Sequence, residues 1–314
     1  MTGTPLTNPG PQEYEEPIGP RAATLTLLTA ALWGATPVAV KYSLDKLPPI
    51  AVSGIRFALA AVFMVFWCRI EGSGLRLRRH EIIPSVVMGV LLFVQIALFT
   101  VAIDESNASH STVLINTYIF WVAGIEHFIT RTLRLTSVKM MGLVLAAAGG
   151  LIILVGSEGG AGVTPLDPAT RHGDLIMLAS AFVLGIKTIY TKQAARIVEP
   201  GKLILWHDVV GVILFAAWSA AFEDASFANV DVPALLGLFY QGVIIAGMCF
   251  AIQAYLLRRH SASKISIYSF ATPLFGIVAA WAFRGDRLSP WLLVSAACVG
   301  LGILIVNVDA APKS

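Results

Sequence analysis

Between residues 22 and 308 the chain alternates long apolar runs with short breaks rich in Pro, Gly and charge. The runs fall near 22–43, 50–70, 82–103, 108–130, 137–156, 173–194, 203–222, 233–256, 263–283 and 290–308. Each meets or approaches the roughly 20 apolar residues that a helix needs to cross a bilayer core of about 30 Å. The break after the third run, "DESN" at 104–107, is short. It still counts, because one helix over 82–130 would far exceed the bilayer and put a carboxylate pair at mid-membrane. The pattern predicts an all-α integral membrane protein of ten transmembrane helices.

Composition agrees. Of the 314 residues 56% are hydrophobic and 13% charged, and the mean hydropathy is +0.76. Soluble domains carry roughly 25% charged residues. The lipid bilayer is the expected surrounding, and a net charge of +3 is too small to suggest a nucleic-acid partner. Cys68, Cys249 and Cys298 all sit inside apolar runs, which excludes a disulfide framework and a Cys-based metal site. Residues 1–21 are polar, rich in Pro, Gly and Glu, and read as a disordered tail without the basic and apolar regions of a signal peptide. On the tail's side of the membrane the breaks and ends hold fifteen Lys and Arg, against five on the other. The positive-inside rule then puts both termini in the cytoplasm, with the chain in the cell (inner) membrane.

The two halves echo each other. "LWGATPVAVK" at 32–41 and "LGIKTIYTK" at 184–192 align Gly34 with Gly185 and Lys41 with Lys192 at an offset of 151. The same offset pairs Pro49 with Pro200 and Arg56 with His207. Further on, at 153 to 154, "NASHSTV" faces "SASKISI" and Gly149 faces Gly302. Ordered identities of this kind indicate duplication. A unit of five spans is odd, so its second copy enters the membrane upside down. Such inverted-topology repeats surround a midplane site in many secondary transporters. The division expected is a cytoplasmic tail at 1–21, five-helix repeats at 22–157 and 158–309, and a short tail at 310–314.

"ALWGATPVAVKYSL…PPIAVSGIRFALAA", "ESNASHSTVL" and "SIYSFATPLFGIVAAWAFRGDRLSPWLLVSAACVGLGILIV" together resemble the EamA-type transporters of the drug/metabolite transporter superfamily. The resemblance covers about residues 22–308. It implies ten helices in two inverted five-helix repeats and the export or exchange of small metabolites. The chain departs from the family's pattern at Ile119, which stands where the first half would match Pro273, and at Leu133, which faces Asp286.

An ionisable side chain inside a span is a functional hypothesis, since it costs a few kcal/mol or more unless paired or hydrated. Arg56, about two turns into the second span, can face a cavity and hold a carboxylate, or anchor at the interface by pairing with Asp104 or Glu105. His207 and Asp208 occupy the matching place in the seventh span. They form a proton-coupling candidate or an interfacial pair bonded to Lys202. Lys187 sits mid-span with Tyr190 at i+3 on nearly the same face, and can counter a substrate carboxylate or snorkel. Trp33, Tyr118, Trp121 and Tyr268 lie deep enough to line a pocket, and Gln95 is a deep amide that needs a partner. Pro37 cannot donate to the carbonyl of Trp33, so the helix should bend there. Pro37 and Pro273 are the hinge candidates. Lys41 should end the first span with its charge in the interface. Small-residue seams such as Gly142, Ala146 and Gly150 suit helix packing or a weak homodimer contact; otherwise the protein is expected to be monomeric.

No His-Glu-x-x-His pair and no Gly-x4-Gly-Lys-Ser/Thr loop is present, and Asp174 and Asp286 stand at span edges. No catalytic residue, cofactor or metal is expected. The sequence therefore reads as a secondary transporter that moves small polar metabolites, amino acids or related compounds, by alternating access. A passive facilitator or uptake carrier is the alternative.

Overall fold

The computed structural model describes residues 19–129, 136–156, 170–259 and 271–308. The described residues are helical apart from short turns and links and contain no strand. The helices are α1 (Pro20–Gly34), α2 (Thr36–Leu44), α3 (Pro49–Glu71), α4 (Arg79–Asp104), α5 (Ala108–Ile115), α6 (Tyr118–Phe128) and α7 (Ser137–Gly156) in the first half. In the second half come α8 (Arg171–Ala194), α9 (Pro200–Phe222), α10 (Val232–Phe239), a π-helical stretch (Tyr240–Cys249), α11 (Phe250–Arg259), α12 (Ala271–Arg284) and α13 (Pro290–Val308). Six segments are long and apolar enough to cross a membrane: Pro20–Leu44, Pro49–Glu71, Arg79–Asp104, Arg171–Ala194, Pro200–Phe222 and Val232–Gln253. Ser137–Ile152, Ala271–Arg284 and Pro290–Ile305 are shorter apolar helices. The chain is a multi-pass membrane protein.

The ends of these helices follow from local chemistry. Proline opens or nearly opens α1, α2, α3, α9 and α10, where its missing N–H has no intrahelical partner to lose. Asn107, Thr170 and Asp231 cap α5, α8 and α10 by accepting from the amides of His110, Gly173 and Ala234. Gly72 ends α3 at φ 75°, a left-handed position that glycine takes without steric cost. The "DESN" break is real, since α4 stops at Asp104 and α5 starts at Ala108. Two breaks lie inside runs that the pattern treats as single spans. The first run divides at Ala35, two residues before Pro37, and the fourth divides at Asn116 and Thr117.

Packing relates the two halves. α3 lies along α9, and α7 along α13. α4 packs on α8, as α2 and α1 pack on α10, the π stretch and α11; α6 packs on α8, as α1 packs on α12. Exchanging the first half for the second carries this set of neighbours onto itself. The glycines report the same relation at atomic detail. A Cβ on Gly89 would meet Val210 at 2.4 Å and the His207 carbonyl at 3.3 Å. One on Gly242 would meet Leu59 at 2.8 Å and the Arg56 carbonyl at 2.9 Å. Val210 and Leu59, like His207 and Arg56, differ by 151 in number. Gly34 and Gly185, paired in the sequence, likewise sit against Thr272 and Gly276 of α12 and against Tyr118 and Trp121 of α6.

α3 and α9 run antiparallel. At one end Glu223, just past α9, accepts from the Ile50 and Ala51 amides that open α3, at 2.8 and 2.9 Å. At the other end the Glu71 carboxylate, closing α3, lies against Gly201 at the start of α9. Below, the near end is the one where α1 begins and the far end the one where α2 finishes.

The far end holds a buried polar network. Lys41 does not end in the interface as its position in the run suggests. It is buried, and its Nζ donates to the Ile103, Asp104 and Ser106 carbonyls at 3.0, 3.1 and 2.9 Å. The first two carbonyls finish α4, where a helix presents unsatisfied acceptors and a partial negative charge, and that of Ser106 lies in the link to α5. Asp174 is also buried, accepting from Ser106 Oγ at 2.7 Å with His110 Nδ1 at 3.0 Å. Asp286 takes the amide and hydroxyl of Ser109 at 3.1 and 2.6 Å. Asp174, in the first turn of α8, and Asp286, in the link between α12 and α13, thus stand at span edges, as read, but inside the protein.

Candidate functional site

Between the two halves lies a cavity of about 210 Å³. Its wall comes from α1, α2, α3, α4, α5 and α6 on one side and α8, α9, the π stretch, α11 and α12 on the other. The broken helices matter here, because Trp33 and Thr36 flank the Ala35 break and Asn116 and Tyr118 flank the second one, all of them on the wall. Helix breaks at membrane depth are tolerated where they line such a cavity.

Three ionisable nitrogen-bearing side chains reach the wall. Arg56 is 4% exposed, and its Nε and Nη1 have no hydrogen-bond partner. Its guanidinium carbon lies 5.1 Å from the centre of the Phe57 ring, within cation–π range. The sequence alternative of pairing with Asp104 or Glu105 is not what the structure contains. Lys187 is 6% exposed and donates to Gln95 Oε1 at a long 3.4 Å, with its Nζ 5.7 Å from the centre of the Phe250 ring. Gln95 is itself held, its side-chain Nε2 donating to Ser180 Oγ at 3.2 Å while its backbone carbonyl accepts from that hydroxyl at 2.9 Å. The deep amide, expected to need a partner across helices or in a solute, has Ser180 of α8.

His207 Nδ1 lies 3.0 Å from the Ile204 carbonyl and 2.9 Å from Asp208 Oδ1. A carbonyl can only accept, so Nδ1 carries the proton in that contact. Neither oxygen of the fully buried Asp208 has an aligned hydrogen bond. Asp208 stands behind the wall rather than in it, although it interacts electrostatically with both Arg56 and Lys187. Lys202 joins neither of them. It pairs with Glu81 at 3.0 Å near the start of α4.

The other sequence candidates separate cleanly. Trp33, Tyr118 and Pro37 line the cavity. Trp121 does not: it is 42% exposed and packs edge-on against Phe182 at 5.0 Å on the outside of the bundle. Tyr190 does not either, and packs with Met88, Ala194, Val198 and Leu203. Pro273 is the third residue of α12 and is buried, without reaching the cavity wall. Tyr268 lies outside the described residues.

Sequence reasoning missed Phe250, which has the most contacts of consequence here. Its ring lies 6.0 Å from Trp33, 6.3 Å from His207 and 5.7 Å from the Lys187 ammonium. Gln253 and the hydroxyls of Thr112, Thr188, Thr191 and Thr272 complete the polar part of the wall. Nothing in the apolar run 233–256 marks Phe250 among its neighbours, because its role depends on where the π-helical stretch turns the chain.

The cavity lining comes within two turns of helix ends on both sides, at Thr191, Ile204 and Gln253 toward the near end and at Phe99 and Thr112 toward the far end. The far end is tied shut by Arg284 to Asp45 at 2.7 Å, Lys46 to Asp231 at 3.2 Å, Glu223 to α3, and the Tyr42 hydroxyl to the Phe283 carbonyl. The Ala234 amide first, and Lys46 after it, hold the Asp231 carboxyl below its ordinary range.

An all-helical membrane protein with a small, charged cavity between two exchange-related halves has the architecture of a solute carrier. The profile of the EamA-like transporter family matches it twice, over residues 20–155 and 171–308, and the chain belongs to that family. An uncharacterised transporter of Bacillus subtilis is 23% identical over 87% of this chain and 92% of its own. A probable amino-acid metabolite efflux pump of Escherichia coli is 23% identical over 90% and 93%. An S-adenosylmethionine/S-adenosylhomocysteine transporter of Chlamydia muridarum is 22% identical over 92% of each. A solved crystal structure covers 93% of this chain and 98% of its own with a TM-score of 0.69 at 19% identity, a likeness of fold.

Proposed function

We propose that the protein is a secondary transporter that exports small polar metabolites, amino acids or related compounds, across the inner membrane by alternating access. The observation that carries this reading is the set Arg56, Lys187 and His207 in the wall of one cavity between the two halves. Ionisable groups at that depth are costly and mark solute or ion pathways. The cavity is smaller than the roughly 300–1,000 Å³ of drug-sized pockets, which favours a metabolite of modest size.

In this reading the family profile's two matches correspond to inverted five-helix repeats, 22–157 and 158–309, that together cross the membrane ten times. Both termini are cytoplasmic, so the near end faces the cytoplasm. The walls Trp33, Arg56, Gln95, Tyr118 and Lys187 hold the solute. Pro37, beside the Ala35 break, and Pro273, in the first turn of α12, are the hinges in this reading. His207 and Asp208 couple transport to a proton: a carboxylate without hydrogen bonds beside an imidazole is a natural place to take one up. The relatives' printed substrates, amino-acid metabolites and S-adenosylmethionine, support an organic solute without deciding which.

The test is counterflow in proteoliposomes with labelled amino acids, organic acids and nucleosides, no nucleotide present. Wild-type protein should exchange at least one class, and Arg56→Ala and Lys187→Ala should not. Folded protein that moves none of them would sink the reading. Flux that ignores an imposed pH gradient would favour a passive facilitator.

A further inference from the structure

The charges of the cavity do not balance. Arg56 and Lys187 bring two cations to the wall, His207 is a third nitrogen base, and among the described side chains no carboxylate lines it. The nearest carboxylate, Asp208, is fully buried behind the wall and interacts with both cations at once. Among the described residues, the two basic side chains share one carboxylate. Two nitrogens of Arg56 have no partner, and Lys187 has only a long bond to an amide oxygen. Residues 260–270, next to α12 in the sequence, contain His260 and Lys264 and no acid.

The rest of the wall shows what else the solute must carry. Trp33 and Phe250 form a tilted aromatic pair, and Ile96, Phe99, Ile115 and Leu184 extend the apolar surface. An ammonium group would find amides, hydroxyls and the His207 imidazole to accept from it, but no carboxylate among the described side chains of the wall. The Phe250 face, the natural seat for a cation, already has Lys187 beside it. Adding a further cation beside two like charges is unfavourable in a low-dielectric wall.

Granting that this cavity is the solute site, we propose that it selects monocarboxylates without an ammonium group, such as 2-oxo acids with an apolar body, over zwitterionic amino acids and amines. The carboxylate sits between Arg56 and Lys187 and supplies a second negative charge. The body rests on Trp33 and Phe250.

Three probes with one isobutyl body separate the possibilities: 4-methyl-2-oxopentanoate, leucine and 3-methylbutylamine. Binding to the purified full-length protein in detergent is followed by calorimetry, and uptake of each into proteoliposomes is measured alongside. The oxo acid should bind at least tenfold tighter than leucine, and the amine should not bind. Arg56→Gln should weaken the oxo acid by about 10–100-fold, the loss of a charge-assisted hydrogen bond, and Arg56→Lys should recover part of it. Leucine or the amine binding as tightly as the oxo acid, or an oxo acid that does not bind, overturns the inference. The wild-type ranking decides this even if a variant fails to fold. Binding in the expected order with no uptake of any probe would leave the inference standing and sink the transport reading instead.

Discussion

Lys202 donates to both carboxylate oxygens of Glu81, at 3.0 and 3.2 Å, and both side chains are out of solvent. The pair joins the first turn of α9 to the first turn of α4, so it ties the two halves at the near end. Removing one partner of a buried pair costs about 3–5 kcal/mol, and a site this close to the helix ends belongs at the lower limit. Glu81→Gln should therefore lower the melting temperature in detergent. Combining Glu81→Leu with Lys202→Met should restore much of it, because no charge is then stranded.

The far-end closure gives a second prediction. Glu223 satisfies two of the amides that open α3, and a helix cap contributes about 0.5–2 kcal/mol. That energy favours the state in which the far end is shut. In a Cys298→Ser background, Thr36→Cys puts a thiol on the cavity wall. A membrane-impermeant maleimide added on the far side should label it slowly. Adding Glu223→Ala should raise the labelling rate about tenfold, the Boltzmann equivalent of about 1.4 kcal/mol. An unchanged rate would mean that this contact does not hold the gate.

Much of the fold is legible in the sequence. The third run, expected over 82–103, is α4 over Arg79–Asp104, and the seventh, expected over 203–222, is α9 over Pro200–Phe222. Membrane length and apolar continuity fix these elements whatever their neighbours do. The candidate site is only partly legible, since it depends on which face of each helix turns inward. Lys187 and Tyr190 are three residues apart and read as one face. On the helix, however, Leu184, Lys187, Thr188 and Thr191 centre the cavity face about 110° from Tyr190. Lys41 fails for another reason. Its place at the end of an apolar run gives no sign that the final carbonyls of α4 would meet it inside the protein.

The glycine contacts give a third prediction. A Cβ at Gly34 would lie 2.6 Å from the Thr272 carbonyl and 2.8 Å from the Gly276 amide nitrogen, both backbone atoms that cannot swing aside. Gly34→Ala should push α1 off α12 and destabilise the protein by about 1–3 kcal/mol. Gly124→Ala is the control, because nothing lies within 4 Å of a Cβ there, and it should be neutral or slightly stabilising by helix propensity. Equal melting temperatures for the two variants would show that the α1–α12 contact is looser than its geometry.

Lys187 offers the last prediction, in which stability and function should move apart. The ammonium is buried, with one long hydrogen bond to Gln95 and an aromatic ring nearby. Holding a poorly paired charge there costs the fold free energy, and replacing such a charge with an apolar side chain of similar length is often neutral or stabilising. Gln95 remains anchored through Ser180 when the lysine is gone. Lys187→Met should therefore melt at the same temperature as the wild type or higher. If the ammonium is kept for the solute, the same variant should lose at least tenfold in counterflow rate. A purely structural lysine would lower both quantities together. A melting temperature that falls with the flux would assign Lys187 to the scaffold and leave Arg56 as the cation that meets the substrate.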